Sequence, residues 1–271
     1  MTTMERTGTG PRTETELREE LRAGGPSVVA MSGGVDSAVV AALAYRALGT
    51  HAQAVTLAGP AVASEEVDRA RSVAAAIGIA HSVVPVDPVE DLRYRSNPSN
   101  RCYFCRSVET RAIREWGVPK GFTRYLDGVQ LDDLGDDRPG ILAMDEAGFQ
   151  HPLAWAGWRK VDVRSFARAA GLPNWDTPSD ACLASRIRHG QAVTVPLLGR
   201  IEVAERGLRE RGFRRVRVRV EGDRARVEVD PSEVARLSTE PMATEVRSTL
   251  RRLGFLEVAI DPAGYRPRPG A

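Results

Sequence analysis

The stretch PSVVAMSGGVDSAVVAALAYRALG, residues 26–49, decides the fold because a strand pattern passes through a glycine loop into a helix pattern. PSVVAM is a short β-branched run, which predicts a buried strand. AVVAALAYRALG is apolar nearly all round and ends at Gly49, which is typical of a buried helix with a glycine C-cap. The loop SGGVDS, residues 32–37, therefore lies between the end of a strand and the start of a helix.

The segments that follow repeat this alternation. AQAVTL and HSVVPV predict strands, and SEEVDRARSVAAAIG between them predicts a helix with Ser64 as its N-cap. RYLDG, residues 124–128, predicts a further strand. The order predicts an α/β fold in which a Rossmann-like parallel sheet is connected by crossover helices.

The pattern changes after about Gly190, where a helix, two strands, a helix and a strand follow within a short span. We therefore predict two domains, as the length of the chain also favours. The expected limits are a flexible tail over 1–14, the α/β domain over 15–190, a small α+β domain over 191–266 and a flexible tail over 267–271.

Composition and charge exclude several classes of protein. The chain is 42% hydrophobic and 27% charged, as in globular proteins, and lacks the roughly 18 consecutive apolar residues of a membrane span. Its N-terminal segment has no apolar signal core, so we expect a cytoplasmic protein. The net charge of +2 gives no reason to expect a nucleic-acid partner. Residues 200–226 nevertheless hold ten arginines against five acidic residues, a local excess that suits an anion.

The loop SGGVDS has the properties of a phosphate site. Gly33 and Gly34 allow the backbone to approach a ligand, and the N–H groups at the start of a helix attract an anion. Ser32 and Ser37 add hydroxyl donors. Asp36 would either cap the helix or meet a Mg2+ ion that accompanies the phosphates.

SGGVDS differs from GxxxxGK[ST] and from GxGxxG, and it resembles the PP-loop of the ATP pyrophosphatase superfamily. The resemblance implies that the loop holds the β- and γ-phosphates of ATP while a substrate oxygen attacks the α-phosphate, with release of pyrophosphate. Asp127, Asp132 and Asp133 follow a strand, where the crevice of an open sheet lies. They would bind the Mg2+ or the ribose of ATP, or cap turns.

The three cysteines allow several interpretations. Cys102 and Cys105 in RCYFC could form a redox pair, ligate a metal or pack a helix start. Cys182 lies in ACLASRI beside Arg186 and Arg188, whose positive charge favours a thiolate. A tetrahedral zinc site would need a fourth ligand, for which the nearby candidate is His189.

SGGVDS, NPSNRCYFC and WDTPSDACLASRI, in this order, resemble the LarE family of sulfurtransferases, and the similarity covers roughly residues 15–266. The resemblance implies that ATP adenylates a carboxylate of pyridinium-3,5-biscarboxylic acid mononucleotide and that a sulfur nucleophile displaces AMP. This reaction belongs to the biosynthesis of the nickel-pincer nucleotide cofactor. The expected partners are that substrate, the other enzymes of the pathway and further copies of the chain, as a homo-oligomer. The loop DGVQ, residues 127–130, departs from the DGTN common in the family.

The resemblance also implies a source of sulfur. Family members with one cysteine sacrifice it and retain dehydroalanine, whereas members with three hold a 4Fe-4S cluster that carries an exchangeable sulfide. This chain has the second pattern, with Cys102, Cys105 and Cys182 as the ligands that the resemblance implies. A redox pair with sacrificial Cys182, or zinc, is the alternative.

Three arginines, Arg186, Arg217 and Arg219, match family positions assigned to phosphate or substrate. Without the resemblance, Arg217 and Arg219 would be ordinary polar residues on an exposed strand face. An iron-sulfur tRNA thiolase and a non-catalytic nucleotide or cluster carrier are the competing functions.

Overall fold

The computed structural model describes residues 11–135, 138–178 and 181–266. Its contacts divide the chain into two compact units. The sheet unit comprises the described residues of Met1–Gly59, Ser64–Val86 and Cys102–Asp180. The small unit comprises those of Pro60–Ala63, Asp87–Arg101 and Ala181–Ala271.

The helices and strands follow the predicted alternation. The helices are α1 (Glu14–Ala23), α2 (Val35–Leu48), α3 (Ser64–Ile77), α4 (Leu92–Arg95), α5 (Arg101–Gly117), α6 (Pro139–Glu146), α7 (Pro152–Trp155), α8 (Lys160–Ala169), α9 (Val195–Glu210), α10 (Val234–Ser238) and α11 (Met242–Arg252). The strands are β1 (Ser27–Ala30), β2 (Ala52–Ala58), β3 (Ala80–Pro85), β4 (Arg124–Leu126), β5 (Phe149–Gln150), β6 (Val216–Glu221), β7 (Arg224–Val229) and β8 (Glu257–Ile260).

The sheet unit is built on a five-stranded parallel sheet in the order β3-β2-β1-β4-β5. Successive residues of a strand face opposite sides, so Val29 packs into one apolar cluster and Val28 into another. The first cluster contains α1, α2 and α8, and the second contains residues of α5 and α6. The predicted α/β fold with a parallel sheet is confirmed.

The helix α2 is the centre of the larger cluster. Ten of its 14 residues are buried, as the apolar pattern of the sequence predicts. It packs against α1, α3 and α8 as well as against β1 and β2. Because α2 is enclosed on several sides, its position is set by packing, and with it the position of the loop that precedes it.

The small unit contains a three-stranded mixed sheet in which β6 and β7 are antiparallel and β7 and β8 are parallel. Its apolar face carries Val216, Val218 and Val220 of β6, all buried. The helix α9 packs on β6, α11 packs on β8, and the two helices also contact each other. The prediction of a small α+β unit towards the C-terminus is confirmed.

The predicted domain limits of 15–190 and 191–266 stay a prediction. The contacts change units at Ala181 and assign residues 87–101 to the small unit, because that segment is hydrogen-bonded to residues 184–193. The predicted tail over 1–14 falls outside the described residues up to position 10, and α1 already begins at Glu14. The predicted tail over 267–271 also lies outside the described residues. Within the described ranges, none of the helices has both the length and the apolarity needed to span a bilayer.

Candidate functional site

The SGGVDS loop lies where the strand order of the parallel sheet reverses. β1 has β2 on one side and β4 on the other, and the loop follows β1 while Asp127 follows β4. A Cβ atom at Gly128 would lie 2.6 Å from the backbone nitrogen of Ser37, so the two chain segments touch. Ligands of open parallel sheets bind outside the carboxyl ends of the strands at such a switch point. The fold therefore brings the predicted phosphate loop and Asp127 together.

The backbone of the loop requires glycine at position 33. Gly33 has a φ of +80°, in the left-handed region that other residues rarely adopt. A Cβ atom there would also lie 2.8 Å from the carbonyl oxygen of Glu66 on α3. The backbone of the loop at Gly33 is therefore in close contact with the backbone of α3.

The hydroxyl groups of the loop form a network within it. The backbone N–H of Ser32 donates to Ser37 Oγ at 3.1 Å, and Ser37 Oγ donates to the carbonyl oxygen of Gly34 at 3.1 Å. The N–H of Gly34 lies 3.3 Å from Ser32 Oγ. The loop is therefore held in one conformation, with hydroxyl and N–H donors gathered at the start of α2.

The prediction that Asp36 caps α2 is wrong. The N-cap is Gly34, which has no side chain to bond, and Asp36 lies inside the first turn. Both carboxylate oxygens of Asp36 instead accept from Lys160 Nζ, at 2.8 and 2.6 Å. Lys160 is the first residue of α8. It was not predicted as a site residue, although the rarity of lysine, with two in the chain, marks it in the sequence. The prediction that Asp36 meets Mg2+ is left untested by this contact.

Asp127 belongs to a chain of charged groups in which Asp127 and His151 are buried and Asp145 is exposed. Its Oδ1 accepts from the N–H of Val129 at 2.9 Å and lies 2.8 Å from His151 Nδ1. His151 Nε2 lies 2.8 Å from Asp145 Oδ1, so the imidazole bridges two carboxylates. Asp127 Oδ2 is buried without a hydrogen-bond partner among the described residues. A buried carboxylate oxygen without a hydrogen-bond partner can accept a hydrogen bond from a ligand or coordinate a cation.

His151 is held in its charged form by its two neighbours. Burial by itself lowers the pKa of His151, but the hydrogen bonds and charges of Asp127 and Asp145 outweigh burial and raise that pKa to about 9. The imidazolium offsets the negative charge of Asp127 at the edge of the sheet. Sequence reasoning missed His151, since a lone histidine in FQHPL carries no recognisable signal.

Asp132 and Asp133 stabilise local structure. Asp132 accepts from the N–H of Lys160 at 2.9 Å and pairs with Arg159 at the start of α8. Asp133 accepts from the N–H of Gln130 and pairs with Arg138. The turn-capping interpretation therefore describes Asp133, whereas Asp132 contacts the start of α8.

Cys102 and Cys105 lie in the first turns of α5. Cys102 is exposed and Cys105 is partly exposed, and the thiol of Cys105 lies 3.3 Å from Glu109 Oε1. Arg106 pairs with Glu109 at 2.6 Å, and the charges of Glu109, Cys105 and Asp127 raise the pKa of Arg106. Arg106 therefore lies within electrostatic range of both a cysteine and the carboxylate that ends β4.

Cys182 precedes the short 3-10 turn Leu183–Arg186 in the small unit and is partly exposed. Arg186 is buried and pairs through two nitrogens with Glu205 of α9, at 2.8 and 3.0 Å. Arg188 pairs with Glu221. Both arginines near Cys182 thus also pair with carboxylates, and the thiolate form of Cys182 stays a prediction.

Glu205 is a buried hub that sequence reasoning did not find. Besides Arg186, it accepts from the N–H of Val218 at 2.9 Å and from Arg209 at 3.1 Å. The Arg186 guanidinium also donates to the carbonyl oxygens of Ala181 and Cys182. In this conformation Arg186 orients the chain at Cys182, and its assignment to phosphate or substrate stays a prediction.

Arg217 and Arg219 lie on one face of β6, as alternation predicts. The interpretation of this face as ordinary exposed surface is wrong for Arg217, which is buried and lies 5.3 Å from the ring centre of Tyr265. Arg219 pairs with Glu228 of β7 at 3.1 Å and donates to the carbonyl oxygen of Ser185. Their assignment to substrate stays a prediction.

The stretch NPSNR, residues 97–101, is bonded to the loop that begins at Cys182. Asn97 has a φ of 56° and donates to the carbonyl oxygens of Arg188 and Gln191, at 2.8 and 2.9 Å. Arg101 donates to Asn97 Oδ1 at 2.6 Å and to the carbonyl oxygen of Ala184 at 2.9 Å. The residue before Cys102 is therefore fixed to the turn after Cys182.

The chemistry of the cysteine side chains fits an iron-sulfur site, since all three are thiols with at least partial exposure. Cys102 and Cys105 belong to the sheet unit and Cys182 to the small unit. In the part of the chain that the structure describes, no three His, Cys, Asp or Glu residues are grouped to hold a metal ion. The 4Fe-4S cluster stays a prediction.

Comparison with known proteins gives matches over most of the chain. Residues 13–99 match the family model of asparagine synthase. An uncharacterised protein of Synechocystis sp. is 40% identical over 240 residues, covering 89% of this chain and 90% of that protein. The pyridinium-3,5-bisthiocarboxylic acid mononucleotide synthase of Lactiplantibacillus plantarum is 31% identical over 239 residues, or 88% and 86% of the two chains. The tRNA-specific 2-thiouridylase MnmA of Azorhizobium caulinodans is 30% identical over 198 residues, or 57% and 50%.

A parallel sheet with SGGVDS at its switch point, together with these relatives, defines the class of protein: an ATP-dependent sulfurtransferase that activates its substrate by adenylation. The use of ATP is thus supported by the relatives. Since the identity to the synthase of L. plantarum extends over both units, the chain belongs to the LarE family.

Replacing Lys160 with glutamine should weaken the binding of ATP·Mg2+ about tenfold to a hundredfold, the range for losing one charge-assisted hydrogen bond. The substitution removes the cation at Asp36 and leaves a carboxylate facing the phosphates. Isothermal titration calorimetry measures the effect. Lys120→Gln, at the only other lysine, is the matched control and should bind as wild type. Equal affinities of all three proteins would show that the pair between Lys160 and Asp36 does not affect the binding of ATP·Mg2+.

The free energy of unfolding should fall as the pH rises from 6.5 towards 9, and the fall should be smaller in His151→Asn. The folded-state pKa of about 9 exceeds the ordinary 6.5, so the stabilising contribution is complete below 6.5 and is lost as the pH passes through 9. Urea denaturation at a series of pH values measures it. His51→Asn, at an exposed histidine, should retain the wild-type slope. Parallel curves for wild type and His151→Asn would disprove the coupling.

Proposed function

We propose that the protein transfers sulfur to the carboxylates of pyridinium-3,5-biscarboxylic acid mononucleotide through an acyl-adenylate, in nickel-pincer nucleotide cofactor biosynthesis. The observation that carries the proposal is the 31% identity, over 88% of the chain, to an enzyme named for the bisthiocarboxylic product. The loop and the three cysteines supply the two kinds of group that such a reaction needs, a phosphate site and sulfur chemistry.

The first half of the reaction uses the sheet unit. The donors of Ser32, Gly34 and Ser37 hold the β- and γ-phosphates, and Lys160 adds a positive charge. An oxygen of the substrate carboxylate attacks the α-phosphorus, and the bond from that phosphorus to the pyrophosphate oxygen breaks. The products are the acyl-adenylate and pyrophosphate. Asp127, whose Oδ2 is buried without a partner among the described residues, binds the Mg2+ or the ribose of ATP.

The second half of the reaction replaces AMP by sulfur. A sulfur nucleophile attacks the acyl carbon, the bond to the AMP oxygen breaks, and AMP leaves. Cys102, Cys105 and Cys182 would hold a 4Fe-4S cluster, which when bound would supply an exchangeable sulfide at its fourth iron. Arg186, Arg217 and Arg219 would bind the phosphate of the substrate.

Two alternatives compete with this proposal. Cys182 could itself be the donor, losing its sulfur by elimination after forming a thioester. The identity to a tRNA-specific 2-thiouridylase favours tRNA as the acceptor, but it covers only 57% of the chain. The remaining expectations, a cytoplasmic homo-oligomer that works with the other enzymes of the pincer pathway, belong to the same proposal.

Exchange of labelled pyrophosphate into ATP should be stimulated by pyridinium-3,5-biscarboxylic acid mononucleotide and not by bulk tRNA. Exchange requires reversible adenylation, so it reports the first half of the reaction irrespective of the sulfur source. Ser37→Ala, which removes a hydroxyl of the loop, should lower the exchange rate, and Ser72→Ala on the exposed side of α3 is the matched control. Stimulation by tRNA in place of the mononucleotide would rule out the proposed acceptor.

Anaerobic reconstitution with iron and sulfide should give a coloured protein with about four irons per chain. Serine at Cys102, Cys105 or Cys182 should reduce the iron content, whereas alanine at the exposed His189, the candidate zinc ligand, should not. Mass spectrometry after turnover checks Cys182. A colourless protein in which Cys182 has become dehydroalanine would contradict the cluster and show that Cys182 is the sulfur donor. The proposed acceptor, the pyridinium mononucleotide, would not be affected by this result.

A further inference from the structure

The buried side chain of Asn174 is hydrogen-bonded to the backbone of the SGGVDS loop. Asn174 lies in the turn that follows α8, and its Nδ2 donates to the carbonyl oxygen of Gly33 at 2.9 Å. Only 2% of the residue is exposed. Its Oδ1 is buried and has no hydrogen-bond partner among the described residues. Burying Oδ1 without a partner costs free energy, so the hydrogen bond from Nδ2 to Gly33 is the contact that favours asparagine at this position.

The turn that carries Asn174 is rigidly braced. Thr177 N–H donates to the carbonyl oxygen of Asn174 at 3.2 Å. Arg164 of α8 donates to the carbonyl oxygens of Trp175 and Thr177, both at 3.1 Å. Leu172, two residues earlier, is buried in the apolar cluster around α2. These contacts stabilise the position from which the Asn174 carboxamide donates to Gly33.

The contact with Asn174 decides which side of one peptide unit faces the nucleotide. In a trans peptide the carbonyl of Gly33 and the N–H of Gly34 point in opposite directions. With the Gly33 carbonyl directed at Asn174, the Gly34 N–H points to the other side, where it lies 3.3 Å from Ser32 Oγ. Two adjacent glycines have little intrinsic preference between this orientation and its reverse. The reverse would direct a carbonyl oxygen, and with it negative partial charge, at the phosphates.

We propose that Asn174 is a positioning residue that fixes the Gly33–Gly34 peptide with its N–H towards the phosphates of ATP and its carbonyl away from them. The inference rests on the proposed binding of ATP by this loop and goes beyond it by assigning the control of the loop to a residue outside it. Asn174 does not touch the nucleotide, so its effect is on affinity for ATP through the backbone of the loop.

The test compares Asn174→Asp with Asn174→Ala in the full-length protein, using ATP·Mg2+ as ligand and calorimetry over pH 8 to 5.5. At pH 8 both variants should bind ATP about tenfold to a hundredfold more weakly than wild type, with Asp the weaker, since a carboxylate repels the Gly33 carbonyl. Towards pH 5.5 the affinity of Asn174→Asp should rise relative to Asn174→Ala. A buried carboxyl has a raised pKa, and once protonated its O–H can donate to Gly33 as the amide does.

Asn174→Ala also supplies the control for other titrating groups. It retains every charged residue of the loop and of the elements around it, namely Asp36 and Arg46 of α2, Glu65, Glu66, Asp68, Arg69 and Arg71 of α3, Lys160, Asp162, Arg164 and Arg168 of α8, and Asp176. Thermal unfolding shows whether each variant is folded, and Asn174→Ala alone still tests the loss of affinity if the aspartate variant does not fold.

Three results would overturn the inference. Wild-type affinity in Asn174→Ala would show that the contact does not control the loop. Equal weakening in both variants with no recovery at low pH would show that Asn174 only fills space. Absence of ATP binding by the wild-type protein would remove the proposed function itself, and the inference with it.

Discussion

The enclosure of α2 by the sheet and by three helices is the constraint on which the position of the SGGVDS loop depends. An apolar helix buried on nearly every side cannot shift without opening the largest apolar cluster of the sheet unit. Its first turn is therefore fixed, and SGGVDS must connect that turn to the end of β1 in very little space. Gly33 is the consequence, because the backbone there is left-handed and lies against the carbonyl of Glu66.

Charge is buried in both units, and in each case a defined set of partners compensates it. In the sheet unit the imidazolium of His151 lies between Asp127 and Asp145. In the small unit the carboxylate of Glu205 accepts from two arginines and a backbone N–H. Removing one partner from such a set leaves an uncompensated buried charge, which is strongly destabilising. These sets therefore stabilise the chain around Asp127 and around Cys182.

The sequence predicted the features that depend on local pattern. The strand of PSVVAM, the buried helix of AVVAALAYRALG and the glycine loop between them are all present, because apolar periodicity and glycine position are local properties. The alternation of Arg217 and Arg219 on one strand face followed from the period of a β-strand in the same way. The LarE resemblance, carried by SGGVDS, RCYFC and ACLASRI, is confirmed by the relatives.

The partners of charged side chains could not be predicted, because they come from residues distant in the sequence. Asp36 meets Lys160 across 124 positions, and Asn174 meets Gly33 across 141. Arg186 looked like a free cation beside Cys182, yet its guanidinium is directed at Glu205 on another element. The sequence by itself determined the fold class, the glycine loop SGGVDS between a strand and a helix, and the presence of three thiols, since these follow from residue type and spacing. Only the tertiary structure decided which donors hold the loop and which arginines are already paired, because packing alone selects the contacts between distant segments.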